Sequence, residues 1–320
     1  EASIISTKEE ISIGQDVAKQ LEKQYGLVDD PELQERVSRI GLSMVAICDR
    51  PGLPYSFKVL NSKEVNAVSL PGGFIYVFKG LTDKMASDDE LAGVIGHELG
   101  HNVKRHVVKQ IEKSMWLGIG FQLVFGDRGA ILQNLAYNAI MAGYSRDDER
   151  EADKLGFTHS FKAGYNPYSM LIGLQKLAEM DRNAHYDLFA DHPEGRKRVS
   201  LVQGYMDEAK IKPHVQLLED GRTAKVIEGS WELPVIYTEY AGYKPLYRAY
   251  FVAGTVYRLN QLPDYNPDLY YLQRDGENIT VYYNDRSLIT LSPQEAAAHG
   301  ENVTELGDSF IAALKQGPGQ

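Results

Sequence analysis

The pentapeptide His97-Glu98-Leu99-Gly100-His101 is the feature that most constrains what this chain can fold into. Ser87 precedes this segment with a glutamate three residues later, the capping-box pattern that marks the start of a helix. The sequence therefore predicts one long helix from this cap to about Ser114. Residues four apart share a helix face, so the two histidines would present their imidazoles side by side, as two ligands of one metal ion.

Glu98 completes the pattern H-E-x-x-H, in which two histidines bind zinc and the glutamate acts as general base on a water at the metal. The alternative is a pair of surface histidines on a polar helix face. Three glycines flank the histidines: Gly93, Gly96 and Gly100. Each glycine in a helix interior costs about 1 kcal/mol, so three of them indicate that another element packs closely here. This favours a buried metal site over a surface pair.

A second segment, "YSRDDEREAD", offers a third metal ligand. On a helix, Glu149 and Asp153 would share a face because they are four residues apart. Glu149 could bind the metal, and Asp153 could accept the outer N–H of a ligand histidine and so orient it. The segment also contains six consecutive charged residues, as a solvated helix face does. Taken alone, this run of charges favours the solvated face.

Four motifs in the same order resemble those of peptidase family M48, a family of zinc metallopeptidases. They are "NAVSLPGG", "HELGHNVKRH", "EREAD" and "DHPEGRKRV". The resemblance covers roughly residues 5–206. Asp191 departs from the family pattern, in which serine or threonine more often precedes the His-Pro pair. The hydrogen bonding around this pair therefore does not follow from the resemblance.

The resemblance implies one Zn²⁺ per chain with His97, His101 and Glu149 as ligands. It implies Glu98 as the general base in a peptide-bond hydrolysis that uses a metal-activated water. It also implies that His192 faces the metal. His192 would then stabilise the oxyanion of the tetrahedral intermediate or occupy the fourth zinc position in a resting enzyme.

Two further residues have predicted positions relative to this site. Arg198, six residues after His192, could hold that loop by pairing with an acid, although an ordinary surface arginine is an equal alternative. His106 would lie on the face opposite to His97 in a continuous helix and therefore outside the site.

The expected partner is an extended polypeptide, from unfolded or misassembled proteins, bound along the edge of a strand by main-chain hydrogen bonds. The candidate strand is "GGFIYV", just before the active-site helix. Two other functions stay open on the sequence. One is a chaperone-like or latent binding protein with a blocked zinc site, and the other is a metalloenzyme that acts on a small molecule.

The predicted fold class is α+β, with a mostly helical, zincin-like metallopeptidase core that contains a small sheet. This core would occupy residues 1–208, with helices over 4–25 and 31–48. Residues 209–320 hold 11 of the 20 tyrosines and are predicted to form a strand-rich accessory domain of unknown role. Its predicted strands are "YRAYFVAGTVYRL", "NITVYYND" and "SLITLS".

Composition restricts the partners and the location. The net charge of −10 argues against nucleic acid as a partner. The single cysteine excludes a disulfide within the chain. The sequence contains no apolar run of about 18 residues, so no membrane span is predicted. The apolar segment 115–126 is expected to form a helical turn or flap near the active site, with peripheral membrane contact as a weaker expectation. The start at Glu1 and the absence of a predicted span favour a periplasmic or lipid-anchored bacterial protein.

Overall fold

The computed structural model describes residues 3–119, 128–181 and 195–319. The chain forms two compact units. Unit 1 comprises Glu1–Tyr165 and Ser169–Met206, and unit 2 comprises Asn166–Tyr168 and Asp207–Gln320. Among the described residues, no helix is both long enough and apolar enough to cross a membrane.

Unit 1 begins with two amphipathic helices, α1 (Thr7–Tyr25) and α2 (Pro31–Val45). A capping box between Ser6 and Glu9 starts α1, and the Asp30 side chain with proline in the first turn starts α2. Both helices match the predicted segments.

A three-stranded sheet follows, with strands β1 (Ser56–Leu60), β2 (Ala67–Leu70) and β3 (Phe74–Phe78). The strand order is β1-β3-β2, with β1 parallel and β2 antiparallel to β3. The prediction that "GGFIYV" provides an edge is wrong, because β3 is the central strand and pairs on both sides. The edge strand that lies against the histidine-bearing helix is β2.

The backbone groups of β2 alternate between β3 and the outer edge. The Phe78 N–H donates to the Asn66 carbonyl at 2.9 Å, just beyond the β2–β3 ladder. Since antiparallel pairs alternate along a strand, the main-chain groups of Ala67 and Ser69 point away from β3. The Tyr144 hydroxyl donates to the Ser69 carbonyl at 3.4 Å, which agrees with that orientation.

After the short helix α3 (Lys79–Lys84), the histidine motif lies in α4 (Asp88–Val103), which the predicted capping box of Ser87 and Glu90 starts. The prediction of one helix to about Ser114 is wrong. Arg105 adopts a left-handed conformation with φ of 58°, and a separate helix α5 (His106–Ser114) begins after it. The chain therefore changes direction between the two helices.

Among the described residues of this part of the chain, four more helices follow: α6 (Arg128–Ala142), α7 (Arg146–Lys162), α8 (Ser169–Asp181) and α9 (Gly195–Glu208). The predicted close approach to the α4 glycines is confirmed. A Cβ on Gly93 would lie 2.7 Å from the Ser169 carbonyl oxygen of α8, and one on Gly100 would lie 3.1 Å from Leu155 of α7. Of the predicted apolar flap, Met115–Ile119 forms a π-helical turn and residues 120–126 lie outside the described part.

The described residues of unit 2 form two three-stranded antiparallel sheets, three α-helices and one 3₁₀ turn, Pro267–Leu269. The strands are β4 (His214–Leu217), β5 (Ala224–Glu228) and β6 (Trp231–Glu232), then β7 (Tyr270–Asp275), β8 (Asn278–Tyr283) and β9 (Arg286–Leu291). The helices are α10 (Pro245–Asn260), α11 (Pro293–Ala298) and α12 (Val303–Gln316). Helix α10 packs against β4, β5 and β9, and α12 packs on the second sheet.

The strand predicted for "YRAYFVAGTVYRL" is wrong, because this segment lies in α10. Eleven of the sixteen residues of α10 are buried, so apolar residues surround the helix and no polar stripe marks a 3.6-residue period. The two later strands are confirmed as β8 and β9. The α+β class with a mostly helical core and small sheets is also confirmed.

Candidate metal centre

Helices α4 and α7 bring three potential ligand side chains together. The Nε2 atoms of His97 and His101 are 3.0 Å apart, and Glu149 oxygens lie 3.6 Å from the first and 3.2 Å from the second. All three side chains are buried. The i, i+4 spacing places both histidines on one face of α4, and the α4 glycines allow α7 to approach closely enough to add Glu149.

Hydrogen bonding determines which nitrogen of His97 faces the cluster. Its Nδ1 lies 2.9 Å from an Asp153 carboxylate oxygen, so Nδ1 carries the proton and donates it to that oxygen. In the neutral ring, Nε2 then presents a lone pair toward His101 and Glu149. This is the arrangement in which a carboxylate orients a metal-ligating histidine.

The donor set fits a zinc ion. Zinc binds imidazole nitrogen and carboxylate oxygen at about 2.0–2.2 Å, which corresponds to about 3.3 Å between neighbouring ligand atoms of a tetrahedron. The separation of 3.0 Å between the two histidine nitrogens lies near this value, as do the contacts of the two Glu149 oxygens, 3.6 Å to His97 and 3.2 Å to His101. Two histidines and one glutamate also leave a fourth position for water, as in catalytic zinc sites.

Arg198 of α9 lies beside the cluster. Its Nε and Nη2 donate to the two Asp153 oxygens at 2.7 and 2.6 Å, and its Nη1 lies 3.0 Å from a Glu149 oxygen. Burial alone would raise the pKa of Asp153, but the charge and hydrogen bonds of Arg198 hold it below its ordinary value. Arg198 is therefore a buried partner of two acids, which favours the predicted acid pairing over a surface arginine.

Glu98 is buried on α4 between the two histidines in sequence. Burial by itself would lower the pKa of the Arg198 guanidinium. The negative charges of Asp153, Glu149 and Glu98 outweigh burial and raise this pKa above its ordinary value. The Glu98 carboxylate therefore shares the electrostatic environment of the cluster. His192 lies outside the described residues, so its predicted position facing the metal stays a prediction.

Two aromatic side chains contact His101 that the sequence reasoning did not place at the site. Tyr144 stacks on the His101 ring with centroids 3.7 Å apart. The His106 Nδ1 lies 2.8 Å from the His101 Nδ1, so the prediction that His106 lies outside the site is wrong. The reason is the left-handed Arg105, which breaks the helix and returns the next residue toward His101. The Arg-His pair of the "HELGHNVKRH" motif was the available signal.

Comparison with known proteins then relates this geometry to a family. The family described as Peptidase family M48 matches residues 31–206, and a domain of unknown function (DUF8459) matches residues 226–317. The M48 match covers more than half of the 320 residues. The chain belongs to peptidase family M48.

Several curated M48 relatives are similar to this chain. Mitochondrial metalloendopeptidase OMA1 of Arabidopsis thaliana is 34% identical over 193 residues, which are 58% of this chain and 39% of the relative. Metalloprotease YcaL of Escherichia coli is 30% identical over 166 residues, 50% of this chain and 65% of the relative. The beta-barrel assembly-enhancing protease of Yersinia pestis is 26% identical over 233 residues, 66% of this chain and 46% of the relative. The chain spans less than two thirds of each of these relatives.

M48 peptidases are zinc enzymes, and the cluster of two histidines and one glutamate can hold such an ion. The family therefore agrees with the metal that the donor chemistry favours. Both lines of evidence concern unit 1, since the match to the peptidase family ends at residue 206 and unit 2 begins its long segment at Asp207.

Proposed function

We propose that this chain is a zinc-dependent endopeptidase in which His97, His101 and Glu149 bind the metal. The observation that supports this most strongly is the convergence of three buried ligand side chains. Their two Nε2 atoms are 3.0 Å apart, and the two Glu149 oxygens lie 3.2 Å from His101 and 3.6 Å from His97. Asp153 orients His97 through the Nδ1 proton. Arg198 positions both acids, because it contacts Asp153 and Glu149 together.

Glu98 acts as the general base in this proposal. When bound, zinc supplies Lewis-acid activation of a water and of the scissile carbonyl. The Glu98 carboxylate accepts a proton from the attacking water and then delivers it to the departing amine, so that a single group serves both proton transfers. Its place on the same helix as both histidines keeps it at a fixed distance from them.

The proposed substrate is an extended segment of an unfolded or misassembled polypeptide, paired with the outer edge of β2. The outward main-chain groups of Ala67 and Ser69 support this. The Ala67 N–H donates to the Asn66 Oδ1 at 2.8 Å. Because β2 is buried, binding would displace this oxygen, and also the Tyr144 hydroxyl from the Ser69 carbonyl. In a cleaved peptide, methylation of single backbone nitrogens should lower kcat/KM roughly tenfold at alternate residues. An equal effect at every residue would contradict edge pairing.

The proposed division of labour assigns peptidase chemistry to residues 1–208 and an accessory, substrate-recruiting role to residues 209–320. We propose an envelope location, periplasmic or lipid-anchored, in a bacterium. The name of the Yersinia pestis relative, which refers to beta-barrel assembly, supports misassembled envelope proteins as substrates. His192 would either stabilise the oxyanion of the tetrahedral intermediate or occupy the fourth zinc position and so inhibit the resting enzyme.

Casein hydrolysis by wild type, Glu98→Gln and His192→Ala tests this function. Glu98→Gln should retain zinc and lose at least about a hundredfold in kcat, since positioned acid–base catalysis contributes that much or more. Increased activity in His192→Ala would support a restraining role, and decreased activity would support an oxyanion role. Wild-type rates in Glu98→Gln would contradict the proposed mechanism.

A further inference from the structure

His106 forms a buried bridge between the metal centre and a pair of carboxylates. The residue is 1% exposed. Its Nδ1 lies 2.8 Å from the His101 Nδ1, while its Nε2 lies 2.9 Å from a Glu151 oxygen and 3.4 Å from an Asp148 oxygen. Both of its nitrogens are therefore engaged, one toward His101 and one toward acids of α7.

The chemistry of these contacts fixes the direction of each hydrogen bond. Carboxylate oxygens only accept, so His106 donates from Nε2 to Glu151. In the neutral ring the Nδ1 of His106 is then an acceptor, and His101 must donate from its own Nδ1. This leaves the Nε2 of His101 with its lone pair directed at His97 and Glu149, which is the form that can bind a metal.

The backbone is shaped to bring His106 into this position. Arg105 is held in the left-handed region, which residues with a Cβ adopt only at a cost in energy. Its guanidinium donates to the buried Glu10 carboxylate at 3.0 Å and to the Ile5 carbonyl at 2.8 Å. These contacts with the N-terminal part of unit 1 stabilise the break between α4 and α5, and the break places His106 against His101.

We propose that His106 is a positioning residue that fixes the tautomer and ring orientation of His101 through a carboxylate–His106–His101 chain. Asp153 orients His97 directly at its Nδ1, whereas the His101 Nδ1 contacts a second imidazole, which passes the orientation on from Glu151. The Tyr144 ring stacks on the His101 ring and restricts its orientation further. This inference rests on the proposed zinc site.

A competing interpretation is a second cation site formed by His106, Asp148 and Glu151, whose ligand atoms also lie within 4.8 Å of one another. The Lys104 ammonium group lies 3.1 Å from the other Glu151 oxygen and already neutralises part of this charge. A donated His106 proton accounts for both carboxylate contacts without an ion. The two interpretations differ in zinc stoichiometry, one ion per chain against two.

The test compares His106→Phe with His106→Asn by zinc titration against a competing chelator. Phenylalanine preserves an aromatic ring and removes the acceptor, whereas the asparagine Oδ1 can replace the Nδ1 acceptor. His106→Phe should weaken zinc binding 10- to 100-fold, and His106→Asn should recover most of the affinity. A role in packing alone predicts the reverse order. Circular dichroism of the chelated proteins checks that each variant is folded.

Additional variants separate failure of this inference from failure of the site. His101→Ala should abolish tight zinc binding; if it does not, the zinc site itself is wrong. If His101→Ala loses zinc while His106→Phe matches wild type, only the positioning role is overturned. Should His106→Phe fail to fold, Glu151→Gln with Asp148→Asn provides the test, with several-fold weaker binding expected. A second zinc equivalent that this double variant loses would overturn the hydrogen-bonded chain in favour of a cation site.

Discussion

The two units each bury charged side chains, but they complete the contacts of those side chains differently. In unit 2, Arg248 donates to Glu295 at 2.9 Å and to the Thr238 and Thr290 carbonyls, each at 2.7 Å. The other Glu295 oxygen accepts the Tyr237 N–H at 2.9 Å. This pair is satisfied by protein groups alone, which is how a buried ion pair becomes tolerable in a core.

In unit 1, by contrast, two buried histidines and a buried glutamate direct lone-pair-bearing nitrogen and oxygen atoms toward one another. The lone-pair-bearing Nε2 of His97 and that of His101 face each other at 3.0 Å, with a carboxylate oxygen nearby. Such an arrangement becomes favourable when a cation lies between the atoms. Burial of charge therefore does not identify a functional site by itself. The informative feature is whether the buried groups complete one another or converge on a common point.

The largest expected effect concerns the self-contained pair of unit 2. Arg248→Met should destabilise unit 2 by about 3–5 kcal/mol, because it leaves the Glu295 carboxylate buried without its cation. The double variant Arg248→Met with Glu295→Gln should recover much of this loss. Urea unfolding followed through Trp231, which is buried in unit 2, measures both in a Trp116→Phe background. An unchanged midpoint in Arg248→Met would show that the pair contributes nothing to this unit.

Metal removal should affect the other region. With free zinc at about 100 times its Kd, binding stabilises the native state by about 2.7 kcal/mol, so a chelator should lower the stability of unit 1 by about that amount. Far-UV circular dichroism reports mainly unit 1, which holds most of the described helical residues. In the Trp116→Phe background, Trp231 fluorescence reports unit 2 in the same samples and shows how much of the signal comes from its three α-helices. A helical transition that does not respond to the chelator would contradict the idea that the donor atoms of unit 1 need a cation.

The smallest effect comes from His159, a buried histidine of unit 1 that is not a proposed ligand. Its Nδ1 lies 3.2 Å from the Gly96 carbonyl oxygen. Burial lowers its pKa, although the hydrogen bond partly opposes this. Since the folded pKa is below the unfolded value, its contribution to stability is complete above about pH 6.5 and falls as the pH decreases toward the folded pKa. His159→Gln should flatten this pH dependence of unfolding; an identical profile in both proteins would contradict it.

Part of the site can be predicted from the sequence, because the spacing of residues along one helix is a local property. Helical spacing alone paired His97 with His101 and Glu149 with Asp153, and the capping box at Ser87 located the start of α4. Their convergence depends on packing between α4 and α7, for which the α4 glycines were the only local signal. The family resemblance, rather than the charge run, favoured Glu149 as a ligand.

The errors also have physical causes. The left-handed Arg105 is stabilised by Glu10 and Ile5, which are about one hundred residues away in the chain, so no local pattern predicts the helix break or the place of His106. The central position of β3 depends on the parallel pairing with β1. Helix α10 is buried around most of its circumference, so its sequence lacks the polar stripe that distinguishes a helix from a strand.

Metal analysis of the purified protein tests the central claim most directly. Wild type, His97→Ala and Glu98→Gln would be dialysed against the same zinc-containing buffer and then against metal-free buffer before zinc is counted per chain. The account predicts one zinc per chain in wild type and in Glu98→Gln, and little or none in His97→Ala. A wild-type protein without zinc, or equal zinc in all three proteins, would contradict it.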